Sequence, residues 1–199
     1  MTIRLTTVAA AAIAAAFVVG STAHPADAVS VRSSDVTFAG NGGKSLPPFT
    51  VRRGSTLYWR AGGGIFQLFS GGIAGGSVNS QAGSGWTYLA PGRYQYDVNA
   101  IGNWSIRLVA GKVVRPASVG NGLVGYRGSG GMDLPPVKFG AARSVGWRAG
   151  GGIFQLFDDN LMGGANVNSQ GTSGTTYARS GTHRWTVNAL GGWVVGWRP

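Results

Sequence analysis

Apolar residues in this chain come in short runs separated by clusters of Gly, Pro, Asn and Ser. That pattern belongs to strands joined by turns. In the first half it predicts strands over 36–39, 49–52, 56–60, 65–69, 86–89, 93–100 and 104–108. No stretch beyond residue 28 keeps a 3.6-residue apolar period for three turns, so helices are not expected. The 36 glycines fall mostly between the runs and mark turns.

The pattern is written twice. Trp59-Arg-Ala-Gly-Gly-Gly-Ile-Phe-Gln-Leu-Phe69 returns unchanged, 88 residues on, as Trp147 to Phe157. Phe38 to Pro48 matches Tyr126 to Pro136, and Val78-Asn-Ser-Gln81 matches Val167-Asn-Ser-Gln170 with one residue inserted before it. Repetition at a fixed period indicates one structural unit used twice. Comparing the copies also assigns faces. Tyr94, Tyr96 and Val98 answer to His183, Trp185 and Val187, whereas Gln95 and Asp97 drift to Arg184 and Thr186. A period of two with one apolar side is a strand lying on a core. By the same test Trp59, Phe66, Tyr96 and Trp104, with Trp147, Phe154, Trp185 and Trp193, are core residues. The expected fold is all-β: two tandem antiparallel β-sandwich modules from an internal duplication, at 35–108 and 123–199, joined by a linker over 109–122.

Pro48-Phe49, Trp59 through Phe66, Val78-Asn79, and Gly92-Arg-Tyr94 through Val98, Ala100, Gly102 and Trp104 resemble a small β-sandwich module. Such modules occur in secreted and surface proteins of Gram-positive bacteria, especially actinobacteria. The second copy departs from the pattern at Pro136-Val137 and at His183. The resemblance implies a sandwich fold and export; it carries no activity or ligand with it.

Residues 1–28 have the form of a signal peptide: Arg4, an apolar run over 8–19, and Ala26-Asp27-Ala28 as a small-x-small cleavage site. A run of about 12 residues is short for a membrane span, which takes ~20. The expected product is therefore secreted or held at the cell surface. Without cysteine it has neither disulfides nor thiolate metal sites. The chain carries 17 Lys plus Arg against 6 acidic residues, a net charge of +11. All six are Asp, and loss of residues 1–28 removes one charge of each sign. That excess favours anionic partners: a cell-wall polymer, a glycan or an anionic lipid headgroup. Nucleic acid is not expected, because no recognition motif accompanies the charge.

Candidate chemistry is sparse. No Asp occupies the same place in both copies, against the paired carboxylates of a glycosidase. His183, the one imidazole after residue 28, answers to inward-facing Tyr94 and reads as a core ring. Asp158-Asp159-Asn160 reads as a solvated turn. Gly62-Gly63-Gly64 lacks the Gly-Lys-Ser/Thr ending of a phosphate loop. The chain is thus expected to be no enzyme, with no cofactor and no metal. Polar residues retained in both copies are the ligand candidates: Arg60, Gln67, Asn79 and Gln81, with Arg148, Gln155, Asn168 and Gln170. Ile65, Phe69, Ile153 and Phe157 fall on an outer face and are expected to be covered by the other module or by a second subunit. The function expected is an exported, non-catalytic binding protein for an anionic or carbohydrate component of the cell envelope. Its alternative is a structural protein whose modules pack on each other or on a protein partner, as a homodimer or an intramolecular pair.

Overall fold

The computed structural model describes residues 35–70, 76–81, 83–159 and 166–199, and every regular element in them is a β-strand. The expected signal peptide lies outside these residues. No helix among them is long and apolar enough to cross a membrane.

The first half contains β1 (Val36–Asn41), β2 (Lys44–Ser45), β3 (Phe49–Val51), β4 (Ser55–Ala61), β5 (Phe66–Ser70), β6 (Val78–Ser80), β7 (Ser84–Leu89), β8 (Gly92–Tyr94), β9 (Tyr96–Ala100) and β10 (Asn103–Val109). They form one sheet in the order β1-β10-β4-β7, a second in the order β2-β9-β5-β6, and the pair β3-β8. After β11 (Ala117–Gly120), the second half repeats the plan. Its strands are β12 (Leu123–Ser129), β13 (Met132–Asp133), β14 (Val137–Phe139), β15 (Arg143–Ala149), β16 (Phe154–Asp158), β17 (Val167–Ser169), β18 (Ser173–Ala178), β19 (Gly181–His183), β20 (Trp185–Ala189) and β21 (Gly192–Trp197). The sheets are β11-β12-β21-β15-β18 and β13-β20-β16-β17, with the pair β14-β19. All pairings are antiparallel.

Three details depart from the apolar pattern. The run over 93–100 is two strands, because Tyr94 pairs with Phe49 on β3 while Tyr96 begins β9 beside β5. The strands β2 and β6 are too short to show alternation. The segment read as linker contains β11, which adds an edge to the second half's first sheet.

Within each half the inward residues of both large sheets meet in one cluster. The first holds Leu57, Trp59, Trp104, Ile106 and Leu108 against Phe66, Leu68, Tyr96 and Val98. The second holds Val145, Trp147, Trp193, Val195 and Trp197 against Phe154, Leu156, Trp185 and Val187. Two indoles in each half lie over a glycine on the neighbouring strand. Gly40 pairs with Trp104 and Gly85 with Trp59; a Cβ added there would sit 2.5 and 2.6 Å from the ring. Gly128 faces Trp193 and Gly174 faces Trp147 in the same way, at 2.6 and 2.7 Å. None of these four glycines has a left-handed backbone, so the requirement is space rather than conformation.

Gly85→Ala and Gly40→Ala should therefore each destabilise the chain by about 1–3 kcal/mol through overpacking. Urea unfolding checks this; an alanine at either site that leaves the midpoint unchanged would mean the indole does not lie flat on the strand.

Candidate functional site

The outer face of the sheet β1-β10-β4-β7 is a shallow trough of about 770 Å³. Alternation along β4, β7 and β10 turns Tyr58, Arg60, Trp86 and Arg107 outward, and Lys112 sits on the rim. Trp59 and Gly85 form part of its floor. Trp59 carries the one buried side-chain N–H that lacks an acceptor among the described residues. Arg107 forms an exposed ion pair with Asp35, whereas Arg60 and Lys112 face no carboxylate within ion-pair distance among the described residues.

The equivalent face of the second half is built differently. Tyr58, Trp86 and Arg107 are replaced by Gly146, Thr175 and Gly196. Val119 of β11 lies where a side chain at 196 would begin, 2.7 Å from that Cβ position. Arg148 remains, beside a smaller hollow of about 350 Å³.

The other retained polar residues lie on the opposite outer face. Asn99 Nδ2 donates to Gln67 Oε1 at 2.7 Å, and Gln67 Nε2 donates to Asn79 Oδ1 at 3.1 Å. Asn188, Gln155 and Asn168 repeat the ladder at 2.7 and 3.2 Å. The ladders lie in one row, because Asn79 bridges to Gly131 at the head of β13, one residue before the pair Met132 and Val187. From β9 to β17 that is six steps of about 4.8 Å, or roughly 29 Å. The structure thus brings Gln67 together with Asn79, and Gln155 with Asn168. It separates Arg60 and Arg148 from them by the thickness of the core. Gln81 and Gln170 are exposed just beyond β6 and β17, with no hydrogen bond to either ladder.

Ile65, Phe69, Ile153 and Phe157 flank this row and remain exposed, Phe69 by 51 %. The expectation that one module covers the other's strip is corrected, because the halves meet elsewhere. Gly131 N donates to Asn79 O at 2.6 Å, Asp133 N donates to Thr87 Oγ1 at 3.0 Å, and Gly76 N donates to the Asp133 carboxylate. Trp86 packs against Tyr126 and the second core. The edge strands β6 and β7 of the first half thereby meet β12 and β13 of the second, and the two strips stay open side by side.

A hollow of about 330 Å³ opens at this joint, beside Tyr88, Asp133, Phe157, Asp158, Asp159 and Arg184. Its carboxylates all have protein partners. Burial raises the Asp133 carboxyl above the usual range, opposed by hydrogen bonds from Thr186 and Gly76. Asp159 lies 3.9 Å from Arg184.

Asp158 corrects the reading of 158–160 as a solvated turn, Asn160 itself lying outside the described residues. Asp158 ends β16 and is buried, with Oδ2 accepting from Trp185 Nε1 at 2.8 Å and lying 2.6 Å from His183 Nδ1. His183 Nε2 donates to Arg179 O at 2.9 Å. The carbonyl can only accept, so Nε2 carries a proton. In the first half the same three positions are Ser70, Tyr94 and Tyr96, with Tyr94 Oη donating to Ala90 O at 2.7 Å. Burial lifts the Tyr94 phenol to about 12. His183 is enclosed, and its contacts orient a ring within the core. Joint changes at 70/158, 94/183 and 96/185 between the copies were the signal that could have revealed this cluster.

No family model matches the chain, and no curated protein matches it. Among solved structures it is similar to AerE from Microcystis aeruginosa, with 9% identity over 83% of this chain and 87% of that one, at a TM-score of 0.28. A cupin 2 conserved barrel domain protein from Leptotrichia buccalis gives 11% identity over 84% and 90%, also at 0.28. A salicylate 1,2-dioxygenase from Pseudaminobacter salicylatoxidans gives 9% over 82% and 70%, at 0.27. These neighbours include a cupin and a dioxygenase, against the expectation of a non-catalytic binder of the cell envelope or a purely structural protein. That expectation, with its exclusion of enzymes, is withdrawn. At such TM-scores the likeness lends the chain no activity, and its function has to be argued from its own side chains.

The buried trio yields a direct test. Asp158→Ser strands the imidazole and indole, and His183→Tyr strands the carboxylate; each should cost about 3–5 kcal/mol. The double variant restores two of the first half's three residues and should recover about 0.5–3 kcal/mol of the summed loss, as coupled neighbours do. Strict additivity in urea unfolding would show that the three side chains do not act as a unit.

Proposed function

We propose that the trough on the first half binds a small molecule combining a flat apolar face with an anionic group, and that the two halves are β-sandwich modules of one duplication, only the first of which kept this site. One observation carries the reading. Tyr58, Trp86, Arg60 and Arg107 surround an open concavity in the first half, where the second half has Gly146, Thr175 and Gly196 and β11 lies close against the face. Loss of large side chains in the covered copy is what packing of the linker strand requires. Their presence in the open copy has no such packing reason, apart from the contact of Trp86 with Tyr126.

The chemistry of the lining defines the ligand class. Tyr58 and Trp86 offer aromatic faces, on which a planar group lies with little ordering cost. Arg60 presents a planar fork suited to a carboxylate, sulfonate or phosphate, and Lys112 adds a second cation at the rim.

The aryl sulfonate 1-anilinonaphthalene-8-sulfonate tests this by its fluorescence, with the uncharged N-phenyl-1-naphthylamine as control. The sulfonate should bind saturably and more weakly as salt is added. Arg60→Gln should weaken it by about tenfold or more, while leaving the uncharged control unchanged. Tyr58→Ala should weaken both. Equal binding of the sulfonate to the parent and to Arg60→Gln would overturn the assignment.

A further inference from the structure

The joint between the halves is head to tail. The tail edge of the first half, β6 and β7, receives β13 and the part of β12 from Tyr126 onward, which β11 leaves unpaired. Each half has both edges, and among the described residues one of each stays open: the head edge at β2 and the tail edge at β17 and β18. Residue by residue, the open edges keep much of what the joint uses. Gly42-Gly43 stand for Gly130-Gly131, Asn168 and Ser169 for Asn79 and Ser80, and Thr176 for Thr87. They differ at Tyr126, which is Phe38, and at three positions that matter more to the joint. Met132, buried, is Lys44, exposed; Asp133 is Ser45; and Trp86 is Thr175.

We propose that these open edges are a matched pair able to join a second copy of this chain head to tail, and that Lys44, Ser45 and Thr175 keep them apart. Lys44 is the main barrier. Its register partner is Val98, a core residue, just as Met132 pairs with core Val187. A lysine at that inward position of a free edge strand leaves its ammonium in water. A strand docked over it would bury that charge without a counter-ion, which is a general means of blunting edges. Ser45 adds a second difference. In the joint, the Asp133 carboxylate accepts from Gly76 N of the other half and from Thr186 Oγ1 of its own at 2.6 Å. In the first half the carboxylate has moved one strand inward: Ser45 donates to Asp97 Oδ1 at 2.5 Å, leaving no acceptor charge at the edge. At the other open edge, Thr175 provides no ring to cover the neighbouring core as Trp86 does.

Transplanting the joint's residues onto the open edges tests this. In sedimentation velocity the parent chain should stay monomeric. Lys44→Met with Ser45→Asp and Thr175→Trp should give masses rising with concentration through dimer to longer species, because a head-to-tail contact leaves an open edge on every oligomer. Adding Thr176→Val removes the equivalent of the Thr87 acceptor and should raise the half-association concentration about three- to tenfold. A triple variant that keeps the parent's circular dichroism and melting temperature but remains monomeric would overturn the proposal. So would a parent that associates by itself, or association indifferent to Thr176→Val. Lys44→Met alone, at an exposed position, carries the same test if the triple variant does not fold: weak self-association supports the proposal and a strict monomer opposes it.

Discussion

An indole laid flat across a glycine of the next strand is the contact on which both halves depend. It lets a residue as large as tryptophan point inward from a central strand without forcing the sheets apart. Trp59 stacks on Phe66 at 4.8 Å between ring centroids, and Trp147 on Phe154 at 4.9 Å, so each indole also ties β4 or β15 to a strand of the facing sheet. The eleven-residue repeat is this device written out. Its Trp lies on one sheet and its Phe on the other, and the three glycines between them turn the chain from sheet to sheet. At Gly63 the backbone of Ile101 occupies the place where a side chain would begin. With no cysteine in the chain, such ring contacts and the area they bury stand where other small domains have cross-links.

The two halves differ in coupled sets rather than singly. A lone carboxylate at 158 would be buried without a partner; it stands within hydrogen-bond distance of His183 and accepts from Trp185. The hydroxyl and carboxylate at 45 and 97 are exchanged at 133 and 186, so the pair persists with its charge moved to the edge strand. That relocation allows the carboxylate to serve the joint between halves. Each set is a local solution to the same rule, that a buried or half-buried polar group needs a partner with matching donors and acceptors.

The fold was legible in the chain wherever alternation ran for five residues or more, and the internal repeat supplied the comparison that assigns faces. Leu57, Trp59 and Tyr96 could be placed inside because their counterparts stayed apolar while their neighbours drifted. The strands β2 and β6 escaped, since they are held by register with β9 and β5 rather than by any pattern of their own. Retention between copies flagged Gln67, Asn79, Gln155 and Asn168. It could not tell that these amides bond to one another, because pairing across strands depends on which strands are neighbours. The trough was missed for the opposite reason. Tyr58, Trp86 and Arg107 are the positions where the copies differ, and a search for shared residues passes over them.

The segment between the halves explains why they differ. Leaving β10, the chain is held against the first half by Thr56, whose hydroxyl donates to Lys112 O at 2.7 Å, and by Ser55, whose Oγ accepts from Gly111 N at 3.0 Å. Those bonds set Lys112 on the rim of the trough. The chain then runs on to β11, pairs with β12 and receives a hydrogen bond from Arg127 at Ser118 O, bringing Val119 down on Gly196. One stretch of backbone thus adds a cation to one face and narrows the equivalent face of the other. A side chain at 196 as long as Arg107 would displace Val119, so glycine there and the approach of β11 to that face go together. The first half lies before the linker, is not crossed by it, and is free of that constraint; its aromatic and basic residues stand in the open for that reason.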